Sequence, residues 1–550
     1  MRCRGRRSSE SCTMSQPMPQ DIPGAGGAAS RRVGRDVFVI LLALYVLILY
    51  PILRANRYYM DDLKRALIGH TGWDSNGRPL TTLLMKLLQC YDSALVDLSP
   101  LTQIGAVVVL AWAGAMIARR YAIRSPWVAA LVAFPLGAQP FYLENLSYKF
   151  DALSMSMAML LALLPLIALR DNRNGWWWGV LAIFASLCFY QAAINAYLIF
   201  VLLEVVLAQL HGEELRRWTR QLLARVGQVG LAMLVYQVLV GIHIHGWVKQ
   251  KAERIHGLHD LPLIKDNIVD FYGFIGSSFN RHWWMYFAPV LVLLALFPVA
   301  IGLRYARRVR HAHPAWVGAM LFVTAFALPL AALLCVAGPM LVLLKPEIEP
   351  RVLVGVGALL AAALIVMQAA LRQWHRSVRW VVAVAGMLAL GMCAIASVYG
   401  NAMGEQKNYE ERIAARLADD LAELGAAGPL RGYLLDGTVG YAPPVAHVVE
   451  QFPLVRALVP IYLSVDDMFA SHNFLNYYVP ELVDMRYRTD PVATQRMTAI
   501  LAEACTAPVA RRTRAYTLRL VDDTVVVTFG SVLAQCCADG TGADASLPRM

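Results

Sequence analysis

Val37-Phe-Val-Ile-Leu-Leu-Ala-Leu-Tyr-Val-Leu-Ile-Leu-Tyr-Pro-Ile-Leu53 carries no charged side chain. As a helix rising 1.5 Å per residue it covers about 26 Å, close to the ~30 Å hydrocarbon thickness of a bilayer. No small-residue cleavage site follows, so the run is an anchor rather than a cleaved signal. Ten further apolar runs recur downstream, at 101–118, 126–140, 151–169, 176–189, 191–209, 226–244, 286–303, 315–335, 352–370 and 380–399. The pair 176–189 and 191–209 is one long apolar stretch, split at Tyr190-Gln191 and again near Asn195. Across all 550 residues, 58% are hydrophobic and only 16% charged. Soluble domains carry roughly a quarter charged residues, so the composition excludes a soluble enzyme, a disordered chain and a fibrous one. The expected fold is an all-α polytopic membrane protein of about eleven transmembrane helices.

The formal charge is +12. Nucleic acid is not the reason, since no basic stripe is interleaved with aromatic residues. Arginine instead gathers in alternate loops. Segments 119–125, 170–176, 210–225, 304–314 and 371–379 hold sixteen arginines and no lysine. Segments 54–100, 139–151, 246–285 and 336–351 are together more than twice as long and hold fourteen Lys or Arg. The bias assigns the first set to the cytoplasm. An odd number of crossings then places the N-terminus inside and the C-terminal part in the periplasm of a bacterial inner membrane. Trp176-Trp177-Trp178 reads as an interfacial belt on the cytoplasmic side.

Four regions follow: a disordered cytoplasmic leader over 1–36, the transmembrane domain over 37–399, an extracytoplasmic α/β domain over 400–537 and a disordered tail over 538–550. In the α/β domain, 408–424 has a helical period, while Arg431–Leu435 and Leu518–Phe529 read as strands between Gly and Pro breaks. The nine cysteines show no CxxC spacing. Cys505 is expected to pair with Cys536 or Cys537, since all three share the outer domain, where a disulfide is permitted. His243-x-His245 and His256-x-x-His259 do not share an i, i+4 helical face, and no metal site is expected.

Polar groups close to the bilayer are costly, so those in the outer loops are the first candidates for chemistry. The first loop reads Arg57-Tyr-Tyr-Met-Asp61-Asp62-Leu-Lys64-Arg65, then Trp73-Asp74-Ser-Asn-Gly77-Arg78. Adjacent carboxylates raise one another's proton affinity, which suits a general base. Lys64, Arg65 and Arg78 supply cations for a phosphate. Equally, the pair could open an interfacial helix as an N-cap. The second loop, 139–151, brings Glu144, Asn145, Tyr148, Lys149 and Asp151 together. Carboxylates and amides hydrogen-bond sugar hydroxyls while aromatic faces cover their C–H surface. The alternative is an aromatic belt with a Lys149 ion pair. Tyr190 and Gln191 sit in the break between two spans, where irregular backbone must line a cavity or be covered by protein. Arg351, at an outer boundary, runs against the charge bias and calls for an anion: Glu347, Glu349 or a lipid phosphate.

The segment YYMDDLKRALIGHTGWDSNGRPLTTLL, starting at Tyr58, resembles the first outer loop of GT-C class membrane glycosyltransferases, and more narrowly of the bacterial type II glucosyltransferase (Gtr) family. FYLENLSYKFDAL, FYQAAIN, EPRVL and NYEERIAARL extend the resemblance over most of 37–480. The segment 246–285 and the last 70 residues lie outside it. The resemblance implies an inverting transfer of a hexose, glucose above all, from a polyprenyl-phosphate-linked sugar to a hydroxyl of a glycan acceptor such as O-antigen, at the outer face of the lipid bilayer. Asp61 or Asp62 would then be the base, and Lys64, Arg65, Lys149 and Arg351 contacts to the donor phosphate, with Arg78 a further cation. A phosphate leaving group needs no acid, and a single phosphate lessens the need for a metal; no cofactor is implied. A glycan polymerase or ligase, or a lipid-sugar transporter, is the rival class.

Overall fold

The computed structural model describes residues 25–530, apart from 92, 170–172, 245–248, 250–252, 256 and 488–490. Each of the eleven apolar runs is helical. Among the described residues eight helices are long and apolar enough to cross a membrane: Arg32–Ala55, Leu101–Arg120, Gln191–His211, Leu215–His243, Arg281–Val309, Ala315–Val342, Gly355–Gln373 and Arg379–Ala427. The other three, Pro126–Ala138, Ala152–Ile167 and Gly175–Phe189, are shorter. At 1.5 Å per residue the first of these reaches only about 20 Å.

The helices form a core and a rim. The apolar window of Gln191–His211 is 83% buried, against 17% for Leu215–His243, Arg281–Val309 and Ala315–Val342. The rim helices therefore turn apolar side chains such as Leu234, Val292 and Phe322 outward. In water that surface would be severely unfavourable; in a bilayer it is the expected covering. The acid inside the core helix, Glu204, is not isolated: Arg120 and Tyr121 each reach it at 3.2 Å.

The two loop sets separate to opposite ends. At the arginine-rich end, Arg372 donates to Ala122 O, Gln373 to Leu210 O, Arg120 to Leu166 O and Gln228 to Trp176 O. Trp177 and Trp178 are exposed there. At the other end, Lys149 N donates to Asp62, Gln191 to Asn76 O and Arg351 N to Glu144.

Helix Arg379–Ala427 is 49 residues, about 74 Å. It runs unbroken through the composition change at 399–400, and the helical period at 408–424 is its outer part. Its close approach to the first helix needs Gly400, where a Cβ would meet Pro51 at 2.4 Å. Beyond the bundle it supports a five-stranded sheet of order β2-β1-β5-β4-β3, with β1 Gly432–Gly437, β2 Val483–Asp484, β3 Val509–Arg512, β4 Tyr516–Val521 and β5 Thr524–Phe529. Leu518–Phe529 is thus not one strand but a hairpin, reversed at Asp522, whose φ is +53°. Strand β1 pairs in parallel with β5. Its alternate side chains serve two layers. Tyr433 and Leu435 pack with Leu417 and Leu421 of the long helix, while Leu434 packs with Ile500 and Ala504 of helix Pro491–Ala504. Cys536, Cys537, the first 24 positions and the tail 538–550 lie outside the described residues, and with them the pairing expected of Cys505.

Candidate active site

The turn after the first helix sets the site. Asn56 and Met60 both have positive φ, +44° and +47°, a conformation that side-chain-bearing residues adopt only when held. The holding groups come from far along the chain. Tyr462 Oη donates to Tyr58 O at 2.7 Å and accepts from Met60 N at 3.0 Å, and Tyr59 Oη donates to Leu458 O at 3.1 Å. Arg57 pairs with Glu410 at 2.6 Å, both buried.

This turn sends Asp61 and Asp62 in different directions. Asp62 is fully buried. Its carboxylate accepts from Lys149 N at 2.7 Å, Tyr59 N at 3.3 Å and Phe150 N at 3.4 Å, so it fastens the first outer loop to the second. Burial pushes its pKa up to about 8, with Asp151 adding to the rise and Arg65 and the backbone donors opposing it. A raised carboxylate pKa often marks a general base. Here both oxygens already face backbone donors and none faces solvent. Asp61 stands at the N-cap of helix Asp62–Ile68 yet makes no capping bond. Its side chain is 49% exposed and lies 3.5 Å from Arg65 Nη1, one turn along.

From Asp61 a chain of charged contacts crosses the outer end of the bundle. Arg65 lies over the Trp73 ring and is 3.5 Å from Asp151. Among the described residues its buried Nε and Nη1 donate no hydrogen bond. Asp151 accepts from Trp73 Nε1 at 2.7 Å and faces Arg78 at 3.8 Å. Arg78 lies over the Tyr190 ring and donates to Gln191 at 3.3 Å. Gln191 in turn donates to Asn76 O, Gly77 O and Tyr236 Oη. Tyr190 Oη and Asn145 Nδ2 both donate to the backbone carbonyl of Arg351, at 2.9 and 3.2 Å.

Arg351 closes the series. Its guanidinium meets buried Glu144 at 3.2 Å, Glu347 at 3.6 Å, Glu349 at 2.5 Å and the hydroxyl of Tyr148. Burial raises the Glu144 pKa, Glu349 and Glu347 add to the rise, and Arg351 opposes it. Burial also raises the Tyr148 phenol, opposed by Arg351 and reinforced by Glu144 and Asp61. Asp61 and Arg351 thus both lie within electrostatic reach of the Tyr148 phenol.

Of the five cations expected at a phosphate, Arg65, Arg78 and Arg351 belong to this series. Lys64 points instead toward Phe469, 5.8 Å from its ring centroid. Lys149 turns the other way, donating to Asn56 at 2.7 Å beside Asp97 at 3.5 Å and lying over Tyr58. Glu144, Asn145, Asp151, Tyr190 and Gln191 all hold arginines or their backbone in place. Trp73, which orients Asp151, carries no spacing signal that marks it in the sequence. Among the described residues no group of three or more His, Cys, Asp or Glu side chains is placed to hold a metal ion; His245 and His256 are outside them.

A family model, Glucosyl transferase GtrII, matches residues 50–362. An uncharacterized 55.3 kDa protein in the gtrB 5′ region of Salmonella phage P22 is 25% identical over 438 residues, covering 78% of this chain and 88% of its own. No solved structure matches the chain.

Proposed function

The chain belongs to the GtrII glucosyl transferase family, and from that premise we propose an inverting, GT-C-type transfer of glucose from a polyprenyl-phosphate donor to a hydroxyl of a surface glycan such as O-antigen, at the periplasmic face of a bacterial inner membrane. Eleven apolar helices and the gathering of arginine-rich loops at one end favour a multi-pass protein with that end in the cytoplasm. The single observation that carries the reading is Asp61, a half-exposed carboxylate at the opposite end, beside a row of arginines.

In this mechanism the acceptor hydroxyl approaches Asp61, which takes its proton as the oxygen attacks the anomeric carbon. The C–O bond to phosphate breaks on the opposite face, and the electron pair leaves with the polyprenyl phosphate. Arg65, held between Asp61 and Asp151, has Nε and Nη1 donors with no hydrogen-bond partner among the described residues, so turning one toward that developing charge gives up no hydrogen bond. Arg351 would exchange Glu347 or Glu349, both partly exposed, for the phosphate, while buried Glu144 stays and orients it. Asp62 and Asp151 shape the site from behind.

The test compares Asp61→Asn with Asp62→Asn in membranes supplied with radiolabelled glucosyl polyprenyl phosphate and the acceptor glycan. General-base catalysis is worth about 10²–10⁴-fold, so Asp61→Asn should lose about that much transfer at unchanged abundance. Transfer by Asp61→Asn within about threefold of the parent, far short of that range, would end the assignment.

A further inference from the structure

A depression opens beside the turn that carries Asp61. It has a volume of about 810 Å³ and lies between the 56–63 turn, the 97–100 loop, the outer part of helix Arg379–Ala427 and the end of helix Met468–Asn476. Its charges cancel in pairs. Arg57 meets Glu410 at 2.6 Å, Lys149 meets Asp97 at 3.5 Å and Lys407 meets Glu411 at 3.9 Å. Three cations against three carboxylates leave no net charge to draw in a phosphate, but many donors and acceptors for an uncharged polar ligand.

Aromatic rings line the same space. Tyr58, Phe474, Tyr477 and Tyr478 all border it. Tyr477 is 64% exposed and packs edge-on to Tyr478, with ring centroids 5.1 Å apart. Exposed rings beside paired charges suit a molecule with alternating C–H faces and hydroxyls. A cavity of this size is within the range for small-molecule sites. Tyr462, which also borders it, is the residue whose hydroxyl holds Tyr58 and Met60, directly before Asp61. Tyr462 therefore ties the wall of this cavity to the turn that carries Asp61.

We infer that this cavity binds an uncharged stretch of the acceptor glycan, a few sugars away from the hydroxyl that is glucosylated. The inference rests on the glycan-acceptor reading above. It makes the protein a reader of chain length as well as of the acceptor hydroxyl: units seated between Lys149 and Tyr477 fix where the next part of the chain meets Asp61.

The full-length protein in detergent can be titrated, without donor, with oligosaccharides of one and four repeating units from the surface polysaccharide of the strain carrying the gene, read by saturation-transfer NMR. The four-unit probe should bind the parent and Asp61→Asn alike. Tyr477→Ala should weaken it by about 2- to 10-fold, the worth of one aromatic contact, and Tyr477→Phe should restore it. Excess inorganic phosphate should not displace it. In the transfer assay Tyr477→Ala should raise KM for the four-unit acceptor, leaving kcat and the one-unit KM as in the parent. Equal affinity of Tyr477→Ala and parent, displacement by phosphate, or absence of binding would overturn the inference. A parent that binds the four-unit probe in this pattern yet transfers no glucose from the polyprenyl donor would instead overturn the donor reading alone.

Discussion

Arg351 and Glu144 form the most committed contact of the site, since Glu144 is buried and its two oxygens take the backbone N–H and the guanidinium of the same residue. Removing one partner of a buried pair strands the other and costs about 3–5 kcal/mol. Arg351→Ala should therefore lower the yield and thermal midpoint of folded protein, and adding Glu144→Gln should recover part of the loss; fluorescence-detected chromatography with heating reads both. Asp62 yields a different dependence. Its folded pKa of about 8 lies above the ordinary 3.8, so the folded protein binds a proton that the unfolded chain has released between those values. The associated stability is complete below pH 3.8 and is lost as pH rises through about 8. Asp62→Asn, which cannot titrate, should flatten the fall of the thermal midpoint across that window. An equal slope in parent and variant would show that Asp62 does not bind the proton.

At the scale of elements, the tight turn at Gly77 decides where Arg78 sits. Gly77 has φ +72°, and a Cβ there would meet Tyr236 Oη at 2.3 Å and Ile244 at 2.9 Å. Both its backbone strain and its close approach to Leu215–His243 thus require glycine. Gly77→Ala should cost about 1–3 kcal/mol and displace the Gln191 clamp on Arg78. On the donor reading, KM for glucosyl polyprenyl phosphate should rise more than kcat falls; an unchanged KM would remove Arg78 from the donor site. The long helix Arg379–Ala427 acts over a greater distance. Glu410 on its outer part neutralises Arg57 and accepts from Tyr462 N and Leu463 N, tying the C-terminal sheet to the Asp61 turn.

For the whole molecule, the consequence lies in sidedness. On the topology proposed above, with the arginine-rich end in the cytoplasm and eleven crossings, the sheet and the Asp61 site would share the periplasmic side. Alkaline phosphatase fused after Met550 should be active, and a fluorescent protein at the same point dark. The reverse pattern would put the site on the wrong side for a surface glycan.

The sequence by itself determined the helical class, the eleven apolar segments and the alternation of their loops. These depend on local hydrophobicity and charge, which every position carries regardless of its neighbours. The break at Tyr190 was legible for the same reason, as polar residues interrupting an apolar run. The hairpin within Leu518–Phe529 was not, because two apolar strands and a short turn at Asp522-Asp523 look like one run until pairing is known. Nor were the roles of adjacent residues in the site. Asp61 and Asp62 are chemically identical, as are Arg65 and its neighbour Lys64 in sign. Only the held turn at Met60 separates an exposed carboxylate from one buried under three backbone donors, and a lysine aimed at Phe469 from an arginine between Asp61 and Asp151. That separation rests on contacts across some 400 positions, from Tyr462 and Leu458 back to the turn, and contacts of such span are decided only when the whole chain has packed.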